Sequence, residues 1–532
     1  MKTQDHHHPS LNDVTIRRRP VPPTDAGDDA TTEELQSINP VDDSVIGATA
    51  LTTPNPAIEK VIRAREAQQG WRRTPLQDRI QRGRSLFHEV LGWRQELLDL
   101  VVDETGKNQL EARWELWKTA DELGDLFDHA QEALAPQRRG KWWTPGRAVQ
   151  WSWQPRGVVL IIASAYDPIQ TTLAPALAAL LAGNAVVILA DRRAPLVVES
   201  IDNIINATGL PDDLWTSLVG GTRVLDALAD RVDAVVSYGS STVTRRLARR
   251  QGDRMIPVLG RWDTHDVMIV LNDAPIERAA RSAVCAACGG AGRRRRALRR
   301  IYVQEGALPD FVDAVVEEVG ALRQGENGRD DPMNVGPLFE REELEIMERL
   351  VDAASDAGAR LVAGGRPRPR SRGLFFEPTV LTGVDESMAI WKTPTPGPVV
   401  AIASVQAPAE AVRRTRDGDG YGAVSIFSRN RSVASSLAAR LNAPVVGINE
   451  VVCDVPATAP PVRGTHSSPV DPLGSDRLQA MSRRVLQVER GWSALPGVLE
   501  TPRPFRMVKT LDAALSLAHR RSWLHKTLGD LF

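Results

Sequence analysis

Apolar segments of strand length alternate with helical segments between residues 158 and 211, and this alternation constrains the fold more than any other feature. Residues 158–163 form a wholly apolar run, residues 171–182 have the composition of a long helix, and the apolar run AVVILA follows. A second helical segment, residues 196–207, leads to the turn sequence GLP. Alternation of this kind predicts an α/β fold with a doubly wound parallel sheet, which in many proteins binds a dinucleotide.

Three further segments have clear patterns. Between residues 56 and 134, apolar side chains recur at helical spacing, as at Ile58, Val61 and Ile62, which predicts a set of amphipathic helices. The segment WWTPGRAVQWSW, residues 142–153, alternates around a Pro-Gly pair and predicts a β-hairpin. The segment INPVDDSVIGATA, which begins at residue 38, predicts the first ordered strand and a turn.

The composition narrows the class of protein. The chain has 532 residues, a hydrophobic share of 42%, a charged share of 25% and a formal net charge of -1. These values are ordinary for a globular protein, and they give no electrostatic reason to expect nucleic acid or an anionic membrane as a partner. The three cysteines are too few for a disulfide scaffold. With no signal peptide and no apolar run of membrane-spanning length, the sequence predicts a cytoplasmic protein.

Both ends of the chain differ from its middle. Residues 1–35 are polar and rich in proline and charge, so we expect a disordered tail, and we do not expect its three adjacent histidines to form a metal site. Residues 496–532 place apolar residues at helical spacing beside a basic face, which predicts an amphipathic helical extension. Such a helix lies either on a membrane surface or against protein, and we favour packing against its own subunit or a partner.

The stretch AVCAACGGAGRRRRALRRIYV, residues 283–303, is the most unusual in the chain. A helical run ends in glycines, four arginines follow, and IYV begins a strand. The two cysteines of the run are expected to be small core residues. A turn between a helix and a strand often holds a reactive side chain. Here the turn carries Arg293, Arg294, Arg295 and Arg296, whose guanidinium groups are neither nucleophiles nor general bases at neutral pH.

Several phrases of the chain resemble the aldehyde dehydrogenase superfamily. They include AGNAVV, GLP, YGSS, FEPTVL, GPVV and VGIN, and the resemblance extends in register over residues 37–495. The glycine and the arginine that flank the superfamily's nucleophile loop match Gly292 and Arg300. The resemblance implies a Rossmann-type nucleotide-binding domain (36–141 and 155–263), oligomerisation strands that join a neighbour's sheet (142–154 and 480–495), and a former catalytic domain (264–479).

The resemblance also assigns the positions that would carry chemistry. In the superfamily a cysteine thiolate attacks the aldehyde, an asparagine amide stabilises the oxyanion, and a glutamate activates the hydrolytic water. The cysteine falls on Arg295, the asparagine on Tyr166 and the glutamate on Arg261. Because nucleophile, oxyanion donor and base are all replaced, we expect that no catalytic residue of the dehydrogenase cycle is retained.

The cofactor positions are partly replaced as well. Gly239 and Ser240 match the Gly-Ser pair that meets the pyrophosphate at the start of a helix. Superfamily residues that hold the two riboses fall on Leu189, Arg192 and Pro394. The resemblance therefore implies that NAD or NADP binding is weakened. An alternative role for Arg192 or Arg193 is a contact with the 2′-phosphate of NADP.

Two alternatives remain for the replaced site. Cys453 belongs to a loop that lines the aldehyde tunnel in the superfamily, so it is a candidate surrogate nucleophile, although no oriented base is evident beside it. Arg261 and Arg295 face each other in the superfamily, and two cations in one cleft require compensation. They either form an anion-binding pocket or, as we favour, extend outward toward solvent or pair with a carboxylate from the set Asp263, Asp266 and Asp454.

The sequence thus favours a catalytically inactive member of the superfamily, a pseudoenzyme that acts as a scaffold or regulatory subunit. We expect it to form a homo-oligomer, or a hetero-oligomer with an active paralogue, and to contact neither nucleic acid nor, through its C-terminal helix, a membrane. One alternative is NAD(P)-dependent oxidation of an aldehyde to a carboxylic acid with displaced chemistry at Cys453. The other is an anion- or ligand-sensing module that uses Arg261 and Arg295.

Overall fold

The structure is a computed structural model that describes residues 33–139, 147–260, 264–325, 335–368, 372–418, 422–452 and 474–490. Residues 1–32, the predicted extension 496–532, Arg261 and Cys453 lie outside the described residues. The first strand begins at Glu34, just inside the segment predicted as a disordered tail. It continues into the predicted turn and strand, so residues 34 and 35 belong to a strand and not to the predicted tail.

Strands and helices alternate through most of the described chain. The strands are β1 (Glu34–Ile38), β2 (Val45–Ala50), β3 (Gln137–Arg139), β4 (Arg147–Pro155), β5 (Val158–Ile162), β6 (Ala185–Ala190), β7 (Trp215–Val219), β8 (Ala234–Ser237), β9 (Val258–Gly260), β10 (Asp266–Val270), β11 (Leu298–Gln304), β12 (Arg360–Ala363), β13 (Thr379–Thr382), β14 (Val399–Val405), β15 (Ala423–Phe427), β16 (Val445–Ile448) and β17 (Ser482–Arg490). The helices are α1 (Pro54–Trp71), α2 (Leu76–Gly92), α3 (Arg94–Thr105), α4 (Gln109–Ala133), α5 (Pro168–Leu181), α6 (Pro195–Asn206), α7 (Thr222–Ala229), α8 (Ser241–Gly252), α9 (Ile276–Cys288), α10 (Leu308–Gly320), α11 (Arg341–Asp356), α12 (Ala389–Lys392), α13 (Pro408–Asp417), α14 (Arg431–Ala438) and α15 (Gly474–Ala480). None of the helices in the described part of the chain is long and apolar enough to cross a membrane.

The alternating segments identified in the sequence form a parallel sheet. Within the described residues its strand order is β7–β6–β5–β8–β9, and all neighbouring pairs are parallel. Every residue of β5, β6 and β8 is buried, as expected for strands covered by helices on both faces. The strand order reverses between β5 and β8, which is where a doubly wound sheet binds ligands, at the carboxyl ends of its strands. The predicted α/β fold is confirmed.

A second sheet follows in the chain and receives the arginine stretch. Its order over the described ranges is β12–β13–β14–β11–β10–β15–β16, with every pair parallel except the antiparallel edge pair β12–β13. Helix α9 packs against α10 and β14 through a face of small residues. The chain passes from the end of α9 through the arginine stretch to the start of β11. This second α/β layer therefore fixes both ends of the stretch.

A further sheet forms a separate unit with the order β17–β4–β3 among the described residues. The predicted hairpin is displaced toward the N-terminus, because β4 pairs antiparallel with β3, a short strand of polar residues that shows no alternating pattern. Residues 140–146, which include the predicted Pro-Gly turn, lie outside the described residues. Strand β17 is at one edge of this sheet and exposes Leu486 and Val488, which are 63% and 65% accessible.

Glu104, on α3, joins three elements through one buried carboxylate. It accepts hydrogen bonds from Ser37 Oγ of β1 at 2.6 Å and from the backbone N–H groups of Leu196 and Val197 at 3.0 and 2.9 Å. The two N–H groups belong to the first turn of α6, where helical N–H groups lack internal partners, so Glu104 caps that helix. Burial, opposed by these hydrogen bonds, raises the pKa of Glu104 from 4.5 to about 7.

We expect the substitution Glu104→Gln to flatten the pH dependence of stability. Because the pKa is 4.5 ordinarily and about 7 in the folded protein, the folded state keeps a proton that the unfolded state has already released in this interval. The free energy of unfolding should therefore fall by on the order of 3 kcal/mol as the pH rises between these two pKa values. At higher pH, Glu104 should cause no further loss of stability.

Urea unfolding on both sides of this pH window tests the prediction. The control is Glu34→Gln, which removes an exposed carboxyl group from β1 and should leave the pH dependence unchanged. The prediction is wrong if the wild type and Glu104→Gln lose stability equally as the pH rises.

Candidate functional site

The arginine stretch lies in a sharp turn between α9 and β11. Gly290, Ala291 and Gly292 have left-handed φ values of 61°, 54° and 69°. A Cβ atom on Gly290 would lie 2.0 Å from Tyr166 Oη, and one on Gly292 would lie 2.1 Å from the carbonyl oxygen of Gly397. Glycine is therefore required at both positions. The turn holds the arginines that follow it close to Tyr166, beyond the end of β5.

Arg295, at the position that the resemblance assigns to the nucleophile, forms an ion pair inside the protein. Its Nη2 atom lies 3.6 Å from Asp167 Oδ2, and its Cζ atom lies 5.1 Å from the centre of the Tyr238 ring. Only 10% of the Arg295 side chain and 12% of the Asp167 side chain are exposed. The position is thus occupied by a neutralised and nearly buried guanidinium group.

Lys107 is buried next to this pair and is held by two carboxylates. Its Nζ atom donates to Glu115 Oε2 at 2.7 Å and to Asp167 Oδ1 at 2.8 Å, and it lies 4.1 Å from the centre of the Tyr166 ring. The other Glu115 oxygen accepts two backbone N–H groups of the first turn of α5, at 2.7 and 3.2 Å. Asp167 is therefore shared by two cations, Lys107 and Arg295, and the network joins α4, the start of α5 and the arginine turn.

The three other arginines of the turn are anchored as well. Arg294 Nη2 lies 3.3 Å from Glu111 Oε1, and Arg296 Nε donates to Asp266 Oδ2 at 3.3 Å. Arg293 Nη2 donates at 2.7 Å to a backbone carbonyl at the end of α3. Each arginine thus has an acceptor of its own, which fixes the course of the turn.

The protonation states of the central groups follow from their surroundings. Burial alone would lower the pKa of Lys107, but the Asp167 and Glu115 carboxylates outweigh burial and raise it. Burial would raise the pKa of Asp167, but Lys107, Lys118 and Arg295 outweigh burial and lower it. Burial raises the pKa of Tyr166 to about 12. At neutral pH Lys107 and Asp167 are therefore oppositely charged, and the Tyr166 hydroxyl keeps its proton.

The arginine turn, α4 and the start of α5 line a partly open cavity of about 40 Å³. This volume holds about three water molecules and is far below the several hundred Å³ typical of a pocket for an organic ligand. A larger groove of about 1350 Å³ lies between α1, α2 and α6, but no predicted site residue lines it. The described cavity that the arginine turn lines is therefore a small one.

The cysteines differ in their surroundings. Cys288 is buried at the end of α9, as predicted, and burial raises its pKa to about 12, so it is a neutral thiol at physiological pH. Cys285 lies on the same helix but is exposed, so its prediction as a core residue is wrong. The helix turns this residue away from the apolar face that α9 buries. The proposed role of Cys453 falls outside the described residues and stays a prediction.

Four of the five predicted cofactor residues, Gly239, Ser240, Leu189 and Arg192, lie at or just beyond the carboxyl ends of strands of the first sheet. Gly239 and Ser240 directly follow β8, beside β5, and Ser240 Oγ accepts the N–H of Val243 at 3.4 Å as the cap of α8. Ser240 and Arg192 are exposed, the latter just beyond β6. Leu189 is buried within β6, and its side chain belongs to the core of the sheet. Pro394 is exposed and has no polar side-chain atom for a ribose.

The carboxyl edge of the first sheet offers contacts that fit the pyrophosphate of a dinucleotide but not its riboses. The exposed start of α8 offers N–H groups that fit a pyrophosphate. Asp191 directly follows β6, where such folds place an acidic residue on the ribose, but Arg193 binds both of its oxygens, at 2.9 and 2.8 Å. The Phe339 ring contacts two arginines, with its centre 5.1 Å from Arg193 Cζ and 3.9 Å from Arg293 Cζ. The ribose contacts of a dinucleotide therefore do not fit the residues present.

Comparison with known proteins agrees with this architecture. The sequence profile of the aldehyde dehydrogenase family matches residues 28–485. A relative from Mycolicibacterium smegmatis, provisionally named succinate-semialdehyde dehydrogenase (NADP+), is 31% identical over 82% of this chain and 86% of its own. A relative from Mycobacterium ulcerans with a similar provisional name is 31% identical over 77% of this chain and 80% of its own. A solved betaine aldehyde dehydrogenase from Staphylococcus aureus in complex with NAD+ has a TM-score of 0.83 at 24% identity, covering 87% of this chain and 92% of that chain.

The chain belongs to the aldehyde dehydrogenase family, because the family profile matches most of its length and the two relatives align over most of theirs. The likeness to the solved structure shows the same α/β fold. The family resemblance seen in the sequence is thereby confirmed.

The partner of Arg295 is the main correction to the sequence analysis. Asp266, one of the three expected partners, pairs instead with Arg296, while Asp263 and Asp454 lie outside the described residues. The expected approach of Arg261 to Arg295 is not tested, since Arg261 is also outside them. The sequence analysis missed the charged residues that anchor the turn, namely Lys107, Glu111, Glu115 and Asp167. One signal was available: Asp167 precedes Pro168, a pair typical of a helix start.

We expect Asp167→Asn to destabilise the protein by roughly 3–5 kcal/mol, because it leaves Lys107 and Arg295 buried with too little negative charge. The control is Asp213→Asn, which removes a surface partner of Arg63 at 3.1 Å and should cost less than about 1 kcal/mol. Urea unfolding of both variants measures the difference. Equal and small losses in the two variants would show that the network contributes little.

Proposed function

We propose that this protein is a catalytically inactive member of the aldehyde dehydrogenase family, a pseudoenzyme that acts as a scaffold or regulatory subunit. The observation that carries the proposal is the pairing of Arg295 with Asp167 at the turn between α9 and β11. Aldehyde oxidation in the family requires a thiolate at this place, to form the covalent adduct from which hydride leaves. A guanidinium group remains protonated and has no electron pair to offer a carbonyl carbon.

Three further features support the proposal. The cavity beside Arg295 is small, at about 40 Å³. Tyr166, at the position of the oxyanion-stabilising asparagine, contacts Arg294 through its hydroxyl group at 3.3 Å. Arg193 engages both oxygens of the carboxylate beside the nucleotide crevice. The cavity for a substrate, the group at the oxyanion position and the carboxylate beside the nucleotide site therefore all differ from what aldehyde oxidation requires. These differences accompany the replacement at the nucleophile position.

A second candidate function is supported by the names of the relatives. Proteins that are 31% identical to this chain are provisionally named succinate-semialdehyde dehydrogenase (NADP+), which favours an active NAD(P)-dependent aldehyde oxidoreductase. In this chain such activity would need a displaced nucleophile, for which Cys453 is the candidate. The exposed Arg192, beyond β6, would then be a candidate for the 2′-phosphate of NADP.

We expect the full-length protein to reduce neither NAD+ nor NADP+ in the presence of succinate semialdehyde or short aldehydes. Arg295→Cys should be inactive too, because the new thiol would lie beside Asp167, whose negative charge disfavours the thiolate, and a base would still be missing. The measurement is nicotinamide absorbance against a blank without protein, with the M. smegmatis relative assayed in parallel.

Turnover by the unmodified chain above the blank would overturn the proposal. If turnover were found, Cys453→Ser would test the second candidate, with Cys285→Ser, at an exposed thiol of α9, as the matched control. Loss of activity in Cys453→Ser together with full activity in Cys285→Ser would establish that Cys453 is the nucleophile.

The role as a scaffold requires assembly, and the separate unit formed by β3, β4 and β17 offers a surface for it. Strand β17 is an edge strand, and it exposes Leu486 and Val488. An edge strand with exposed apolar side chains readily pairs with another chain. The family resemblance, in which strands of this region join a neighbour's sheet, supports a homo-oligomer or a hetero-oligomer with an active relative.

We expect Leu486→Lys to shift the protein toward smaller species, because a charge on an edge strand opposes pairing with another chain. Val45→Lys is the control, since Val45 on β2 is also exposed, at 47%, and lies outside the separate unit. Sedimentation velocity over a range of concentrations gives the species present. An unchanged distribution in Leu486→Lys would exclude β17 as the assembly surface, and a monomeric wild type would exclude homo-oligomerisation.

A further inference from the structure

We infer that the large groove between α1, α2 and the end of α6 binds a basic, proline-rich peptide, namely residues 14–23 of the same chain. These residues read VTIRRRPVPP and are called the basic tail segment below. They lie outside the described residues, so the groove, the charges and the length of the chain carry the argument. The inference goes beyond the proposed function and does not depend on it, because neither aldehyde chemistry nor assembly through β17 enters it.

The first argument comes from the size and lining of the groove. Its volume of about 1350 Å³ is larger than the roughly 300–1,000 Å³ typical of pockets for small organic ligands. The lining follows one face of α2 along most of the helix, from Asp78 to Gly92. Two indole rings, those of Trp71 and Trp93, and the side chain of Leu86 provide apolar surface. A groove of this length with aromatic walls fits an extended peptide better than a compact ligand.

The second argument comes from the charge of the lining. Three exposed carboxylates, those of Asp78, Glu89 and Glu96, line the groove together with one guanidinium group, that of Arg82. None of the three carboxylates has an ion-pair partner among the residues that the structure describes. The arginines at positions 72, 73 and 94, which are close in the chain, do not belong to the lining. Complementary charge selects partners and steers their approach, so the lining favours a basic occupant.

The third argument comes from the sequence of the basic tail segment. Arg17, Arg18 and Arg19 supply three adjacent positive charges, and Pro-Val-Pro-Pro follows them directly. Proline-rich sequences favour the extended polyproline II conformation, which loses little entropy on binding and is recognised by aromatic-lined grooves. Residues 24–33 contain four acidic residues and no basic one, so they do not fit an acidic groove and serve as the connection. The basic tail segment thus matches both the charge and the aromatic walls.

The fourth argument is that the chain is long enough to reach the groove. The N–H group of Leu51 donates to the carbonyl oxygen of Glu33 at 2.8 Å, so the described chain begins close to the start of α1 at Pro54. Helix α1 is about 27 Å long and ends in the groove at Trp71. The ten residues 24–33 span up to about 33 Å when extended. A short connection also raises the effective concentration of the segment, which favours the groove of its own chain over that of a second copy.

The test is photo-crosslinking of the full-length protein that carries p-benzoylphenylalanine at position 21, between the arginines and the last two prolines. We expect irradiation to join position 21 to a residue that lines the groove, such as Leu86 or Trp93, in a species with the mass of one chain. Mass spectrometry of the digested product locates the crosslink. Replacing the three arginines of the segment by serine should lower its yield about fivefold or more, because three charge contacts are lost.

Limited trypsin digestion tests the groove from the other side. The variant that combines Asp78→Asn, Glu89→Gln and Glu96→Gln should be cleaved after Arg17 about fivefold faster than the wild type, because trypsin attacks the unbound segment. The matched control neutralises three exposed carboxylates of α10 and α11 outside the groove and should be cleaved like the wild type; it combines Asp313→Asn, Glu317→Gln and Asp356→Asn.

The outcomes separate the possible occupants. A crosslink to the groove in a species with twice the mass of the chain would assign the groove to the tail of a second copy and overturn binding within one chain. The inference is also wrong if position 21 forms no crosslink to the groove, or if the groove variant and its control are cleaved at the same rate. Aldehyde turnover by a protein that forms the crosslink would overturn only the proposed function.

Discussion

The burial of one ammonium group, that of Lys107, is the constraint on which this part of the molecule depends. Removing a charged amine from water costs several kcal/mol unless opposite charges compensate it at close range. Glu115 and Asp167 provide this compensation at 2.7 and 2.8 Å. Glu115 also caps the first turn of α5, so the same carboxylate fixes α4 against α5. The arginine turn therefore packs against a surface whose charges and geometry are set by Lys107, Glu115 and Asp167.

The shape of the arginine turn and its chemistry rest on different residues. The shape depends on the left-handed backbone at Gly290 and Gly292 and on the close approach of Tyr166 and Gly397, none of which involves the side chain at 295. The chemistry depends on the side chains that follow. This separation explains how a chain of the aldehyde dehydrogenase family can keep the family fold while position 295 carries a group unsuited to attack on a carbonyl.

The sequence predicts the local features of the fold well and the long-range charge pairing poorly. Buried strands such as β5 and β6 are wholly apolar, so their alternation with helices is sufficient to predict the parallel sheet. The short polar strand β3 lacks any such pattern, and the hairpin is consequently misplaced. The pairing of Arg295 with Asp167 joins residues distant in the chain, and periodicity contains no information about which charges meet in space. For the same reason only the structure shows how the charge of Arg295 is compensated.

The sharing of Asp167 between Lys107 and Arg295 also has an evolutionary consequence. A neutral side chain at either cationic position would disturb the balance felt by the other, so the effects of substitutions at these sites are not additive. Coupled charges of this kind limit which substitutions the chain tolerates one at a time, because a change of charge at one position alters the compensation at the other.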